Sequence, residues 1–263
     1  MPAAHEIDYR IAGEEMQYVE LELDPRETAI AEAGSFMLMD DGIQMETIFG
    51  DGSPQRGVLG KLVSAGKRLL TGESLFMTAF TNAGNEKKKV SFASPYPGKI
   101  IPLNLQELGG YVVCQKDAFL CAAKGVTVGI ALQRKLGTGL FGGEGFIMQK
   151  LEGDGMAFMH AGGHVFEREL LPGELIKIDT GCVVGYTRTV DFDIQFVGGI
   201  KNTIFGGEGL FFATLRGPGK VWIQTLPVSR LASRILSYGS FRRKEEGSVL
   251  GGLGNLLDGD GFR

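Results

Sequence analysis

Three glutamates share one short sequence context, and a carboxylate-lined cation site is the first chemistry this chain suggests. Phe141-Gly142-Gly143-Glu144-Gly145 recurs as Phe205-Gly206-Gly207-Glu208-Gly209 at an offset of 64 residues. A fainter copy, Gly72-Glu73-Ser74-Leu75-Phe76, lines up with Gly207-Glu208-Gly209-Leu210-Phe211. Brought together around an axis, Glu73, Glu144 and Glu208 would offer the hard oxygen ligands that calcium or magnesium takes within about 2.6 Å. The same residues have a structural explanation, which the sequence favours. Gly72, Gly143 and Gly207 would let the backbone bulge, and each carboxylate would accept hydrogen bonds from neighbouring amides.

Other reactive groups are fewer. His160 and His164 stand four residues apart, a metal-ligand spacing when carried on a helix, and Glu167 follows as a third donor. Ala161-Gly162-Gly163 between them favours a turn, so the pair reads as strand-end histidines ahead of a zinc or iron site. Gly137-Thr138-Gly139-Leu140-Phe141-Gly142 fits GxGxxG, but strand-forming Phe146-Ile147-Met148 follows where a helix N-terminus would have to meet a pyrophosphate. Gly57-Val58-Leu59-Gly60-Lys61 lacks the phosphate-loop spacing. No GxSxG elbow occurs, and Cys114 and Cys121 lie in apolar runs where a thiol is an inert filler. The sequence therefore calls for no catalytic residue, no cofactor, and no metal beyond the candidates His160, His164 and Glu167.

Composition narrows the class. The 263 residues are 43% hydrophobic and 22% charged, which excludes an unfolded chain, and 41 glycines imply many turns. A net charge of -4 leaves no electrostatic footprint for duplex nucleic acid, the basic exceptions being Lys87-Lys88-Lys89 and Arg242-Arg243-Lys244. Cys114, Cys121 and Cys182 have no CxxC spacing, so they imply neither a disulfide framework nor a zinc knuckle and fit a reducing compartment. With no basic start leading into an apolar segment, and no apolar run approaching about 18 residues, neither secretion nor a membrane span is expected. The expected location is cytoplasmic.

Strands must position these groups. Residues 18–24 alternate apolar and polar with period two. The stretches 146–151 and 156–161 flank Glu152-Gly153-Asp154-Gly155, which predicts a hairpin through an Asp-Gly turn. Gly217-Pro218-Gly219 is predicted to do the same between 210–215 and 221–226. Upstream, Lys89-Val90-Ser91-Phe92 matches Lys220-Val221-Trp222-Ile223 after a slip of four residues, as a longer turn at 85–88 between two paired strands would produce. Glu32-Ala33-Gly34-Ser35-Phe36, Ala123-Lys124-Gly125-Val126-Thr127 and Asp179-Thr180-Gly181-Cys182-Val183 each place a glycine inside an apolar run, a common landmark ahead of each copy. Helical periodicity is confined to 59–70 and 229–238, the latter followed by a glycine-rich tail. The pattern predicts an all-β protein of three related β-sandwich units, 1–103, 104–163 and 164–228, in one compact domain, with a short helix and tail at 229–263.

Three motifs together resemble the bacterial relatives of altered inheritance of mitochondria protein twenty-four, over essentially residues 5–240. They are the repeated Gly-Gly-Glu-Gly with the LxGxG that follows it, the strand end His160-Ala161-Gly162-Gly163, and the run from Pro172-Gly173-Glu174 to Ile178-Asp179-Thr180-Gly181. The resemblance implies a fold similar to the tryptophan RNA-binding attenuation protein (TRAP), with β-sandwich units in a pseudo-threefold arrangement. It supplies no catalytic residues. Its mitochondrial member is linked to inner-membrane organisation, and likeness of fold to an RNA binder does not transfer that function. The expected function is that of a soluble, non-enzymatic binding or assembly protein, meeting a protein partner or itself through sheet edges or hairpin tips. The alternative is a small-ligand or divalent-cation binder at the repeated Gly-Glu turns. The third reading, a cupin-like metalloenzyme at His160 and His164, lacks the HxH pair that cupins use. The C-terminal helix is expected to dock on the protein's own sheet, with a peripheral membrane or partner contact through 229–244 as the alternative.

Overall fold

The computed structural model describes residues 3–32, 34–49, 76–134, 145–196 and 211–238, with only the backbone of Phe49, Phe76 and Phe196. Gly72, Glu73, Gly143, Glu144, Gly207 and Glu208 lie outside the described residues, as do the helical pattern at 59–70, the GxGxxG segment, Arg242-Arg243-Lys244 and the glycine-rich tail.

Strands make up most of the regular structure of the described chain. After β1 (Asp8–Ala12) come β2 (Tyr18–Leu23), β3 (Thr28–Glu32), β4 (Phe36–Met39), β5 (Ile43–Phe49), β6 (Phe76–Asn82) and β7 (Lys88–Ala93). Next are β8 (Gly98–Asn104), β9 (Tyr111–Gln115), β10 (Phe119–Ala123), β11 (Thr127–Arg134), β12 (Phe146–Glu152) and β13 (Met156–Gly162). The last are β14 (Val165–Leu170), β15 (Leu175–Asp179), β16 (Val183–Thr187), β17 (Asp191–Phe196), β18 (Phe211–Arg216) and β19 (Gly219–Gln224). They form four antiparallel sheets: sheet I, β1-β2-β7-β4; sheet II, β5-β6-β3-β10-β13-β8; sheet III, β11-β12-β9-β16-β19-β14; and sheet IV, β15-β18-β17.

One pairing scheme recurs along the chain. β7 lies between β2 and β4, β13 between β8 and β10, and β19 between β14 and β16. Likewise β6 lies between β5 and β3, β12 between β11 and β9, and β18 between β17 and β15. Even the irregularities agree. Register slips between Phe36 and Leu38 against β7, between Phe119 and Cys121 against β13, and between Val183 and Gly185 against β19. A bulge of this kind bends its strand and increases local twist. Phe36, Phe119 and Val183 therefore occupy corresponding places.

Two sequence expectations need correction. The stretches flanking Asp154-Gly155 are not a hairpin: β12 pairs in sheet III and β13 in sheet II, so the turn carries the chain from one sheet to the next. Asp154 Oδ1 accepts a 2.8 Å bond from the Ala4 amide and ties the N-terminal segment to that corner. Gly217-Pro218-Gly219 likewise joins sheet IV to sheet III, and the longer turn between β6 and β7 joins sheet II to sheet I, so those strands are not paired either. A turn sequence reverses the chain without choosing its ladder partner, and β13 is buried at all but its first residue, unlike a half-wet hairpin strand. The second correction concerns the middle landmark. Ala123–Thr127 falls after β10, whereas the segment leading into β10 is a glycine-free 3-10 turn, Lys116–Ala118, matching the turn Thr180–Cys182 before β16.

Among the described residues three hydrophobic cores lie between the sheets. Val19, Leu21, Phe80, Phe92 and Phe158 belong to the core shared by sheets I and II. Leu103, Val112, Leu151, Met159 and Trp222 belong to that shared by II and III. Val113, Met148, Val183, Ala213 and Leu215 belong to that shared by III and IV. Successive residues of the inner strands enter different cores, which explains their unbroken apolar character; β2, with one face wet, keeps its alternation. Residues 1–226 form one compact unit and 227–263 a second. In the latter the described part is a helix over 228–238, whose Ile235, Leu236 and Tyr238 are exposed.

Candidate functional site

Eight strands end the four sheets among the described residues, and two of them, β4 and β15, lack a neighbour that their counterparts have. Among the described residues β4 has a ladder partner only on its β7 side and β15 only on its β18 side. Their counterparts are paired on both sides: β10 and β16 with β3 and β9, and β3 and β9 in turn with β10 and β16. Burial follows the pairing. Phe36, Met37 and Leu38 of β4 are 40%, 41% and 45% exposed, whereas Phe119, Leu120 and Cys121 of β10 are 3%, 2% and 0% exposed. Leu175 of β15 is 44% exposed, against 1% for Thr28 at the corresponding place in β3. Unpaired N–H and C=O groups flanked by apolar side chains are a template for another strand.

A second cluster of polar groups lies where β3 meets β10. Glu32 ends β3 beside the turn that leads into β10. Burial, followed by the negative charge of Asp117 and opposed by Lys116, lifts its pKa to about 7. Burial and then Asp117 likewise push Tyr96 to about 12, and burial followed by Glu32 pushes the Cys114 thiol up. His160 is 1% exposed, packed edge-on to Tyr96 at 4.4 Å between ring centroids. Burial lowers its pKa to about 4 against a smaller opposing influence of the Tyr96 backbone, and neither ring nitrogen has a hydrogen-bond partner of regular geometry.

At the next junction, between β9 and β16, amides take the corresponding places. Gln224 Nε2 donates to the Gly181 carbonyl at 2.8 Å, and Gln224 Oε1 accepts from the Gly162 amide at 2.8 Å. Gln115 Nε2 donates to the Thr180 carbonyl at 3.4 Å. The first junction thus holds titratable groups where the second holds neutral, bonded ones.

The metal candidates are dispersed. His160 is buried in β13, His164 is exposed in the turn beyond it with its amide bonded to Thr225 Oγ1, and Glu167 of β14 accepts from Trp222 Nε1 at 2.8 Å. Among the described residues no three His, Cys, Asp or Glu side chains gather as a metal requires. Lys87 and Lys89 do not form a basic patch either. Lys87 Nζ lies 2.8 Å from Glu22, 3.4 Å from Asp8 and 3.6 Å from Asp24, and Lys89 Nζ lies 2.9 Å from Glu20. Among the described residues no helix is long and apolar enough to cross a membrane.

The sequence model for mitochondrial biogenesis AIM24 matches residues 9–226, nearly the whole first unit. The chain belongs to the AIM24 family. An uncharacterised protein of Streptococcus pyogenes serotype M6 is 31% identical to this AIM24 member over 224 residues, 84% of this chain and 86% of the relative. The crystal structure of a Streptococcus pyogenes protein superposes with a TM-score of 0.70 at 25% identity, covering 89% of this AIM24 chain and 100% of that one.

Sequence reasoning did not single out Glu32 or the β4 edge as sites in this AIM24 chain. A lone acid closing the apolar run Thr28–Glu32 was the available signal for the first; the second depends on a partner strand being absent. Gly98 opens β8 directly across from Gly162. A Cβ there would collide with the Ala161 carbonyl oxygen and come within 2.8 Å of His160 Nε2. Gly98→Ala is expected to cost about 1–3 kcal/mol in urea unfolding through overpacking. A loss below about 0.5 kcal/mol would show that the β8–β13 pair yields there.

Proposed function

We propose that this AIM24 chain is a non-enzymatic binding and assembly protein that engages its partner through the unpaired strand edges of its terminal sheets. The observation that carries this is β4, where three consecutive large apolar residues, Phe36, Met37 and Leu38, are exposed beside an open ladder. The reading includes three related β-sandwich units in a TRAP-like arrangement, supported by the recurring pairing and bulges. On that basis the first unit ends between β7 and β8, since β8 pairs with β13, and the second ends between β13 and β14. The test is affinity capture with the full chain. A stable partner or self-association should be recovered and lost on Met37→Lys; no partner and no self-association by light scattering would defeat the reading.

A second reading has its own support. β6, β12 and β18 take corresponding places in their sheets, with Met77, Met148 and Phe212 aligned through their partners Glu32, Gln115 and Asp179. The Gly-Glu sequences precede these strands in each case, giving Glu73, Glu144 and Glu208 corresponding positions in the chain. A divalent-cation site there predicts stoichiometric calcium or magnesium in protein purified without chelator, lost in Glu144→Gln and Glu208→Gln. Metal content unchanged by both substitutions would leave the glutamates structural.

A further inference from the structure

The two open edges are complementary halves of a junction that the chain already makes twice. Sheet II joins β3 to β10, pairing Cys121 with Ala31, Ala122 with Ile30 and Ala123 with Ala29. Sheet III joins β9 to β16, pairing Gly185 with Cys114, Tyr186 with Val113 and Thr187 with Val112. In each case the end of one strand triplet meets the start of the next, and a six-stranded sheet results. Sheet IV ends in the next such donor, β15, and sheet I in the next acceptor, β4. Counting from the aligned bulges, the same register would set Leu38 against Ile178 and Met39 against Lys177. The merged sheet would run β17-β18-β15-β4-β7-β2-β1.

Among the described residues sheet I packs on II, II on III, and III on IV, and no core is shared by I and IV. Among the described residues β4 and β15 do not pair with one another within the chain, so each edge is left for a strand from outside the molecule. We infer that the occupant of the β4 edge is the β15 edge of a second copy of this chain, joined head to tail in the register of the internal junctions. The contact is heterologous, with a different edge on each side, so repeated association closes a ring or extends a filament. It would cover Phe36, Met37, Leu38 and Leu175, whose counterparts are buried in the internal junctions or, for Tyr111, half-buried. This inference rests on the assembly reading above and names its partner.

Two single substitutions test it, because a lysine on an edge strand discourages pairing. Wild-type chain at tens of micromolar should show a light-scattering mass that is a multiple of the 28.3 kDa monomer. Met37→Lys blocks β4 and Leu175→Lys blocks β15; each alone should fall to 28.3 kDa with its circular-dichroism melting midpoint unchanged. Mixed in equal amounts, the two variants should form a capped dimer at twice that mass, because each retains the edge the other has lost. A monomeric wild type would overturn the inference, and so would variants that remain assembled or a mixture that stays monomeric. A monomeric wild type that still captures a partner lost on Met37→Lys would defeat this inference alone. One that captures nothing would defeat the assembly reading with it.

Discussion

Replacing Trp222 with alanine is expected to lower the unfolding free energy by about 3–5 kcal/mol, the range for truncating a large buried aromatic side chain. Trp222 is 2% exposed and belongs to the core between sheets II and III, where it packs with residues of both. It faces Gly185 just past the β16 bulge, the place that Phe158 takes opposite Cys121 and Ser91 opposite Leu38. The cross-strand position without a side chain leaves room for the largest ring in the chain. Its indole N–H is not orphaned: Glu167 Oε2 accepts it at 2.8 Å, and Lys220 Nζ lies 2.7 Å from the other carboxylate oxygen. Burial alone would raise the Glu167 pKa, but the bonds from Lys220 and Trp222 outweigh it and hold the carboxyl below its usual value. Trp222→Phe, which keeps most of the apolar area and returns a half-exposed carboxylate to water, should cost only about 1 kcal/mol. Urea unfolding followed by circular dichroism separates the two. Equal losses for Phe and Ala would place the indole bond, rather than packing, at the centre of this core.

The class of fold was legible because the strands announce themselves locally. Tyr18–Leu23 alternates since sheet I has a wet face, and a stop such as Asp24-Pro25 is a property of a few neighbouring residues. Partner choice is not local. Glu152-Gly153-Asp154-Gly155 looks the same whether it closes a hairpin or turns a corner between sheets. What decides is that β13 is apolar on both faces and fits only between β8 and β10. The candidate site was harder to read for the same reason. His160 was noticed for its spacing from His164, but folding sends one into the core and leaves the other at the turn. Glu32 acquires its character first from burial and then from Asp117, opposed by Lys116, and none of these is a property of its sequence neighbours. The β4 edge is visible only as a departure from β10 and β16, which requires all three to be aligned through their bulges.

The pH dependence of stability should show two opposing contributions from the first junction, separable by single substitution. Glu32 has a folded pKa of about 7 against a usual 4.5, so the folded state binds this proton more tightly than the unfolded chain. Its contribution is fully present below pH 4.5 and is lost as pH rises through 7, a difference of at most about 3 kcal/mol. His160 runs the other way. Its folded pKa of about 4 lies below the usual 6.5, so its contribution is present above pH 6.5 and is lost as pH falls through 4, again by at most about 3 kcal/mol. Neither group is a cause of the other's shift, so the slopes add. Between the usual values of 4.5 and 6.5 they nearly cancel, and this pair should leave wild-type stability nearly flat there. Glu32→Gln removes the falling limb: stability should then climb with pH across the window, and the variant should exceed wild type most above pH 7. His160→Gln, which installs the residue found at the corresponding place in β19, removes the rising limb and should leave stability declining from about pH 4.5 to 7. The comparison rests on slopes, so a uniform packing loss from either substitution does not obscure it. Urea midpoints at four pH values between 4.5 and 7.5 would check it. Curves for Glu32→Gln and wild type that stay parallel across that range would mean that Glu32 titrates in the folded protein as it does in the unfolded chain.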